Sequence, residues 1–130
     1  MKKVLITPQG FNFIRSRIKP WLQNDTEYLF TNGIVEDKNK LTELLSDVNA
    51  AVIGSEEIDK SIMESSRNLK VIVRFGTTLE NIDTSFARER SIKVFSIKST
   101  YTVDSVGRLC LTFLLNYTFN IHKHFENSRN

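Results

Sequence analysis

Leu69-Lys70-Val71-Ile72-Val73-Arg74-Phe75-Gly76-Thr77-Thr78-Leu79-Glu80-Asn81-Ile82-Asp83 sets a short apolar run, Val71 to Val73, directly before a glycine-bearing turn, and ends on an acid that can cap a helix. A continuous apolar run of strand length belongs in the middle of a parallel sheet, buried on both faces, and Ala50 to Ile53 is a second such run. Outward from these two, β-rich runs alternate with helical patterns along the whole chain, the order of a parallel sheet covered by helices.

Toward the N-terminus, Lys2 to Thr7 reads as strand one, closed by Pro8-Gln9-Gly10. Phe11 to Leu22 follows as a helix with Phe11, Ile14, Ile18, Trp21 and Leu22 on one face, and Pro20 should kink or stop it. Glu27 to Thr31 is a polar-flanked strand suited to a sheet edge, Asn32-Gly33 is a turn, and Asp37 to Val48 is a helix facing inward through Leu41, Leu44, Leu45 and Val48. Between the two central strands, Asp59 to Ser66 makes a short helix carrying Ile62 and Met63. Toward the C-terminus, Asp83 or Thr84 caps a helix through Arg90 and Ile92 to Phe95 is the fifth strand. Thr102 or Asp104 then opens a long helix through about His124.

Strict alternation of this kind predicts an α/β fold, a flavodoxin-like doubly wound parallel five-stranded sheet with helices on both faces. A single domain over residues 1–124 with a tail at 125–130 follows. Ligands of such sheets sit beyond the carboxyl ends of the strands, which selects the loops Thr7 to Asn12, Gly54 to Glu57, Arg74 to Glu80 and Ser96 to Thr102.

Composition narrows the functional classes. In 130 residues, 40% hydrophobic content supports one packed core. The net charge of +3 arises from 18 Lys and Arg scattered among 15 Asp and Glu, an ordinary solvated surface. Arg15, Arg17 and Lys19 come nearest to a basic stripe but read as one polar helix face, so no nucleic-acid partner is expected. Met1-Lys2-Lys3 leads into an apolar run too short for a signal segment, and the lone Cys110 has no disulfide partner, so a cytoplasmic location is expected. Leu109 to Phe119 falls well short of the roughly 20 apolar residues that span a bilayer, so no membrane association is expected. His122 and His124 lie two apart and point to different helix faces, unsuited to one metal, and Cys110 reads as a core filler.

Four segments carry a resemblance in the same order along the chain: Val4-Leu5-Ile6-Thr7-Pro8, Ala50-Ala51-Val52-Ile53-Gly54, the stretch from Leu69 to Asp83, and Ala87-Arg88-Glu89-Arg90-Ser91-Ile92-Lys93-Val94. Together they resemble the substrate-binding half of the D-2-hydroxyacid dehydrogenases of the phosphoglycerate dehydrogenase type, whose strand runs into a Gly-x-Gly-x-Asp-Asn-Ile-Asp turn. The resemblance implies that this turn grips the carboxylate of a small 2-hydroxy or 2-oxo acid through backbone N–H groups. Carried over, the gripping positions are Gly76, Thr77 and Thr78, with Arg74 beneath them and Ser55 on the neighbouring strand end. The plain alternative is that Gly76 only permits a turn and Arg74 pairs with Glu80 or Asp83.

The chain also departs from the family. Thr78 stands at the second turn glycine and Glu80 at the acidic turn position. The Asn-x-Pro-Gly stretch after strand five is replaced by Ser96-Ile97-Lys98-Ser99-Thr100-Tyr101, and Arg108 stands where the following helix start has Glu. No Gly-x-Gly-x-x-Gly dinucleotide loop occurs, so no NAD site and no catalytic residue is expected in this chain. In the long helix, Val103, Val106, Leu109, Cys110, Phe113, Leu114, Tyr117 and Ile121 form one apolar stripe, with Leu111, Leu115 and Phe119 on other sides. More than one apolar face predicts a homodimer through the 103–121 helix, or a complex with a separate NAD-binding-domain protein. Two functions follow: a substrate domain that does not transfer hydride alone, or a non-catalytic oligomerising or regulatory module built on the same fold.

Overall fold

Three aspartates set where three of the helices begin. Asp37, Asp59 and Asp83 each accept a hydrogen bond from the backbone N–H three residues on, at Lys40, Ile62 and Phe86, and so satisfy a donor the helix leaves free. The computed structural model describes residues 1–97 and 100–119, with side chains in the second segment from residue 104. The chain divides into two compact units, Met1–Ile97 and Lys98–Asn130, where a single domain over 1–124 with a tail was expected.

The first unit is built on five strands: β1 (Lys2–Ile6), β2 (Thr26–Phe30), β3 (Ala50–Ile53), β4 (Val71–Arg74) and β5 (Lys93–Ser96). All pairings are parallel, and the order across the sheet is β2-β1-β3-β4-β5. This is the flavodoxin-like order expected, with β2 at an edge. Between the strands run α1 (Gly10–Ile18), α2 (Lys38–Leu45), α3 (Lys60–Ser65) and α4 (Thr84–Glu89). Leu41 and Leu45 of α2, Ile62 and Met63 of α3, and Ala87 of α4 close over Leu5, Ala51, Ile53 and Ile72 of the sheet in one core.

The first helix departs from expectation. It ends at Ile18, and Lys19–Trp21 forms a 3-10 turn containing Pro20, which cannot donate to the helical ladder. The tighter turn breaks the three-and-four spacing, so Trp21 leaves the stripe and is 85% exposed. Neither α1 nor this turn contains a buried residue.

Helix α4 ends in a Schellman motif: the Ile92 N–H donates to the Ala87 carbonyl and the Ser91 N–H to the Arg88 carbonyl. Ser91 takes the left-handed conformation this requires, at φ 56°, with no glycine to ease it.

The described part of the second unit is one helix, α5 (Thr100–Phe119), which begins two residues before the expected start. Val106, Leu109, Phe113 and Leu114 are exposed on it. Cys110, expected in a core, is exposed too, because a lone helix has no interior of its own. Lys98, Ser99, Ile121, His122, His124 and the 125–130 tail lie outside the described residues, as does the side chain of Val103. No helix among the described residues is long and apolar enough to cross a membrane.

Candidate functional site

The sheet order reverses direction between β1 and β3, and at that switch the connecting loops part to leave a crevice. A cleft of about 570 Å³ opens there, with Pro8, Ile34, Glu36, Ser55, Arg74 and Phe75 among its lining residues. Two of the expected site residues, Ser55 and Arg74, are thus brought together. Gly76, Thr77 and Thr78 continue the same loop but do not line the cleft.

The loop after β4 is shaped by Arg74 itself. Its Nη1 donates to the Phe75 carbonyl at 2.7 Å and its Nε to Asn81 Oδ1 at 3.3 Å, so neither Glu80 nor Asp83 is its partner. The folded-back guanidinium lies against Gly76, where a Cβ would come within 2.6 Å of Arg74 Cζ. Glycine here permits the close approach of the guanidinium and is not required for left-handed backbone, since among the described glycines only Gly33 has a positive φ. The Gly76 N–H is engaged, donating to the Arg74 carbonyl at 2.9 Å. No bond to another described residue occupies the Thr77 or Thr78 N–H. Thr78 also keeps a negative φ, so the side chain at the family's second glycine is accommodated without backbone strain.

Behind the cleft lies a polar brace that the sequence did not announce. Glu56 is only 3% exposed. Its Oε2 accepts from the Gly54 N–H at 2.6 Å and its Oε1 from the Val35 N–H at 3.2 Å, which ties the end of β3 to the loop after β2. The fully buried Thr7 adds its Oγ1 as a second acceptor for the Gly54 N–H, at 3.3 Å. Asn81 completes the brace by donating Nδ2 to the carbonyls of Glu56 at 2.6 Å and Gly54 at 3.3 Å. Buried polar groups need partners of this kind, and here every one among the described side chains has one.

The loop after β2, which supplies Ile34 and Glu36, was not among those expected to form the site. Its signal was the Asn32-Gly33 pair. Gly33 holds φ 136°, and its carbonyl accepts from Thr31 Oγ1 at 2.6 Å, turning the chain back over the cleft. Phe11 packs edge-on against Phe75 at 5.3 Å and steadies the opposite wall. Among the described residues no group of three or more His, Cys, Asp or Glu is placed to hold a metal ion.

This arrangement has known counterparts. Residues 6–107 match the family described as D-isomer specific 2-hydroxyacid dehydrogenase, catalytic domain. A hydroxypyruvate reductase of Thermotoga maritima is 33% identical over 95 residues, covering 72% of this chain and 30% of that protein. A protein of Staphylococcus haemolyticus named as a 2-hydroxyacid dehydrogenase is 34% identical over 110 residues, covering 81% of this chain and 32% of its own length. The chain thus spans about a third of the length of these relatives. Among solved structures, the NAD+-bound 3-phosphoglycerate dehydrogenase of Entamoeba histolytica superposes with a TM-score of 0.72 at 20% identity, over 88% of this chain and 38% of that one. The D-lactate dehydrogenase of Escherichia coli does so with 0.71 at 16% identity, over 99% and 41% respectively, a likeness of fold. With residues 6–107 matched to the family and a 34% identical relative covering 81% of it, the chain belongs to the D-isomer specific 2-hydroxyacid dehydrogenase family, within that family's catalytic domain.

Proposed function

We propose that the cleft binds the carboxylate of a small 2-hydroxy or 2-oxo acid, and that this chain serves as a substrate-binding domain that does not transfer hydride alone, in a cytoplasmic setting. The observation that carries the reading is the convergence of Ser55 and Arg74 on one crevice at the topological switch point. Arg74 supplies positive charge, and its Nη2 is free of described partners to meet a carboxylate oxygen. The Thr77 and Thr78 N–H groups are further donors of the same loop, just outside the cleft lining, and Ser55 offers a hydroxyl from the neighbouring strand end. Gly76 contributes by letting the guanidinium lie close.

A nicotinamide dinucleotide, which the family name implies for hydride chemistry, does not fit the described residues. The turn from β1 into α1 is Thr7-Pro8-Gln9-Gly10, with one glycine and a proline that has no N–H. It lacks the run of free backbone donors that seats a pyrophosphate.

The reading is tested by NMR titration of the protein with small 2-hydroxy and 2-oxo acids, with NAD(H) as control. Shifts centred on Ser55, Arg74, Thr77 and Thr78 with an acid, abolished in Arg74→Met, are expected. The absence of such shifts with every acid overturns it. A second reading, an oligomerising or regulatory module, is favoured by the exposed apolar residues Leu109, Phe113 and Leu114 of α5. It makes the 103–121 helix the seam of a homodimer or the contact for a separate NAD-binding-domain protein. Sedimentation equilibrium of the protein and of Phe113→Glu tests it, with a dimer that dissociates in the variant as the expected result and a wild-type monomer as the contrary one.

A further inference from the structure

The charges around the cleft are not symmetrical. Arg74 stands at one wall and is the only cation among the described residues lining the cleft, while Glu36 lines it from the loop after β2. The other side chains of the lining are uncharged, with Pro8, Ile34 and Phe75 as its apolar part and Gln9, Asn32 and Ser55 as its neutral polar part. Glu36, Ile34 and Ser55 also border a second cleft of about 310 Å³, into which Glu56, Glu57 and Asp59 bring three more carboxylates. The single cation of that second cleft, Lys38, is already paired with Asp59 at 2.5 Å. The Glu36 end of the candidate site therefore faces net negative charge, and the Arg74 end faces positive charge.

From this we infer that the cleft selects a monocarboxylic 2-hydroxy or 2-oxo acid with a short uncharged tail, and that Glu36 excludes acids carrying a second negative group such as a phosphate or another carboxylate. The inference rests on the reading of the cleft as an acid site. One carboxylate satisfies Arg74. A second anion on the same small molecule would meet Glu36, the apolar wall or the neutral amides of Gln9 and Asn32, none of which supplies an opposing charge, and Glu36 repels it. The selection acts against the overall charge of the protein, which is +3 and by itself favours the more highly charged acid. A local arrangement is needed to reverse that preference. Glu36 is exposed, so its effect is sensitive to salt and its replacement leaves the core untouched.

The test compares 2-hydroxybutyrate with 3-phosphoglycerate and malate by NMR titration of the full chain, in wild type and Glu36→Gln, at low salt and at about 0.5 M salt. In wild type at low salt, 2-hydroxybutyrate should bind about fivefold or more tightly than either doubly charged acid. Glu36→Gln and high salt should each reduce that ratio to about twofold or less. Equal binding of all three acids by wild type overturns the inference while leaving the acid site standing, as does a ratio unchanged in Glu36→Gln. Failure of all three acids to bind removes the acid site itself. Binding of the doubly charged acids by Glu36→Gln alone supports both.

Discussion

The guanidinium of Arg74 occupies the space that a side chain on Gly76 would need, with Cζ 2.6 Å from the position of a Cβ there. The contact is with the far end of a flexible side chain, and Gly76 has no positive φ, so alanine is compatible with the backbone. Gly76→Ala is therefore expected to leave the melting temperature within a few degrees of wild type, a cost of about 1 kcal/mol or less. It should also drive the guanidinium off the loop and break its bonds to Phe75 and Asn81. Acid binding should weaken about fivefold or more, by loss of a pre-positioned charge. A variant that binds acid as wild type does would show that the position of Arg74 on Gly76 is irrelevant to the cleft.

Asn81 is the keystone of the brace, donating to two carbonyls and accepting from Arg74. Asn81→Ala should cost about 1–3 kcal/mol, since the Glu56 and Gly54 carbonyls lose their donor in a half-buried place. Asn81→Asp should be no better, because a carboxylate cannot donate to carbonyl oxygens and brings charge against them. Urea unfolding measures both, and a destabilisation confined to the aspartate variant would contradict the role of the amide donor.

Asp59 carries the clearest pH dependence. Hydrogen bonds from Lys38, from the Ile62 N–H and from Ser61 hold its carboxyl down from the usual 3.8 to about 2. With the folded pKa depressed, the stabilisation is fully present above the ordinary value and is lost as pH falls from about 4 through about 2. The side chain is 38% exposed, so solvent screening reduces the contribution to about 1 kcal/mol. The stability difference between wild type and Asp59→Asn should therefore shrink over that interval and stay flat from pH 5 to 8. A difference that is constant down to pH 2 would falsify the ionic part of the cap.

Ser91 offers a gain. A non-glycine residue in the left-handed region at the end of a helix carries a steric penalty that glycine escapes, so Ser91→Gly should stabilise the protein by about 1 kcal/mol. Ser91→Val, β-branched, should instead cost more than that. Thermal melts of the pair check the sign, and a destabilised glycine variant would mean that the Ser91 side chain makes a contact that outweighs the strain.

The central strands could be read from the sequence because Ala50 to Ile53 and Val71 to Val73 are unbroken apolar runs; the expected burial on both faces is only partial, since Ala51, Ile53 and Ile72 are buried and the alternate positions half-buried. Helix starts were legible wherever an aspartate cap announces itself. The extent of α1 was not, since periodicity counts apolar residues without knowing that Pro20 will change the pitch beneath Trp21. Arg74 and Ser55 could be placed at the site through strand-end topology and family resemblance. The partners of Arg74 could not, because the nearest acids in sequence, Glu80 and Asp83, lose to a carbonyl and an amide that folding brings closer. Glu56 was hidden for a related reason: its task is to bind N–H groups from two loops distant in sequence, and an isolated glutamate looks like any solvated charge.

Asn81 and Glu56 hold the loops around the cleft from behind, through backbone atoms and not through the side chains of the residues they hold. The outward positions Ile34, Glu36 and Ser55 are then relieved of any duty to maintain loop shape. A lineage carrying this brace could exchange those three letters one at a time, trying new ligands against an unchanged frame, and a change of diet would require no change of architecture.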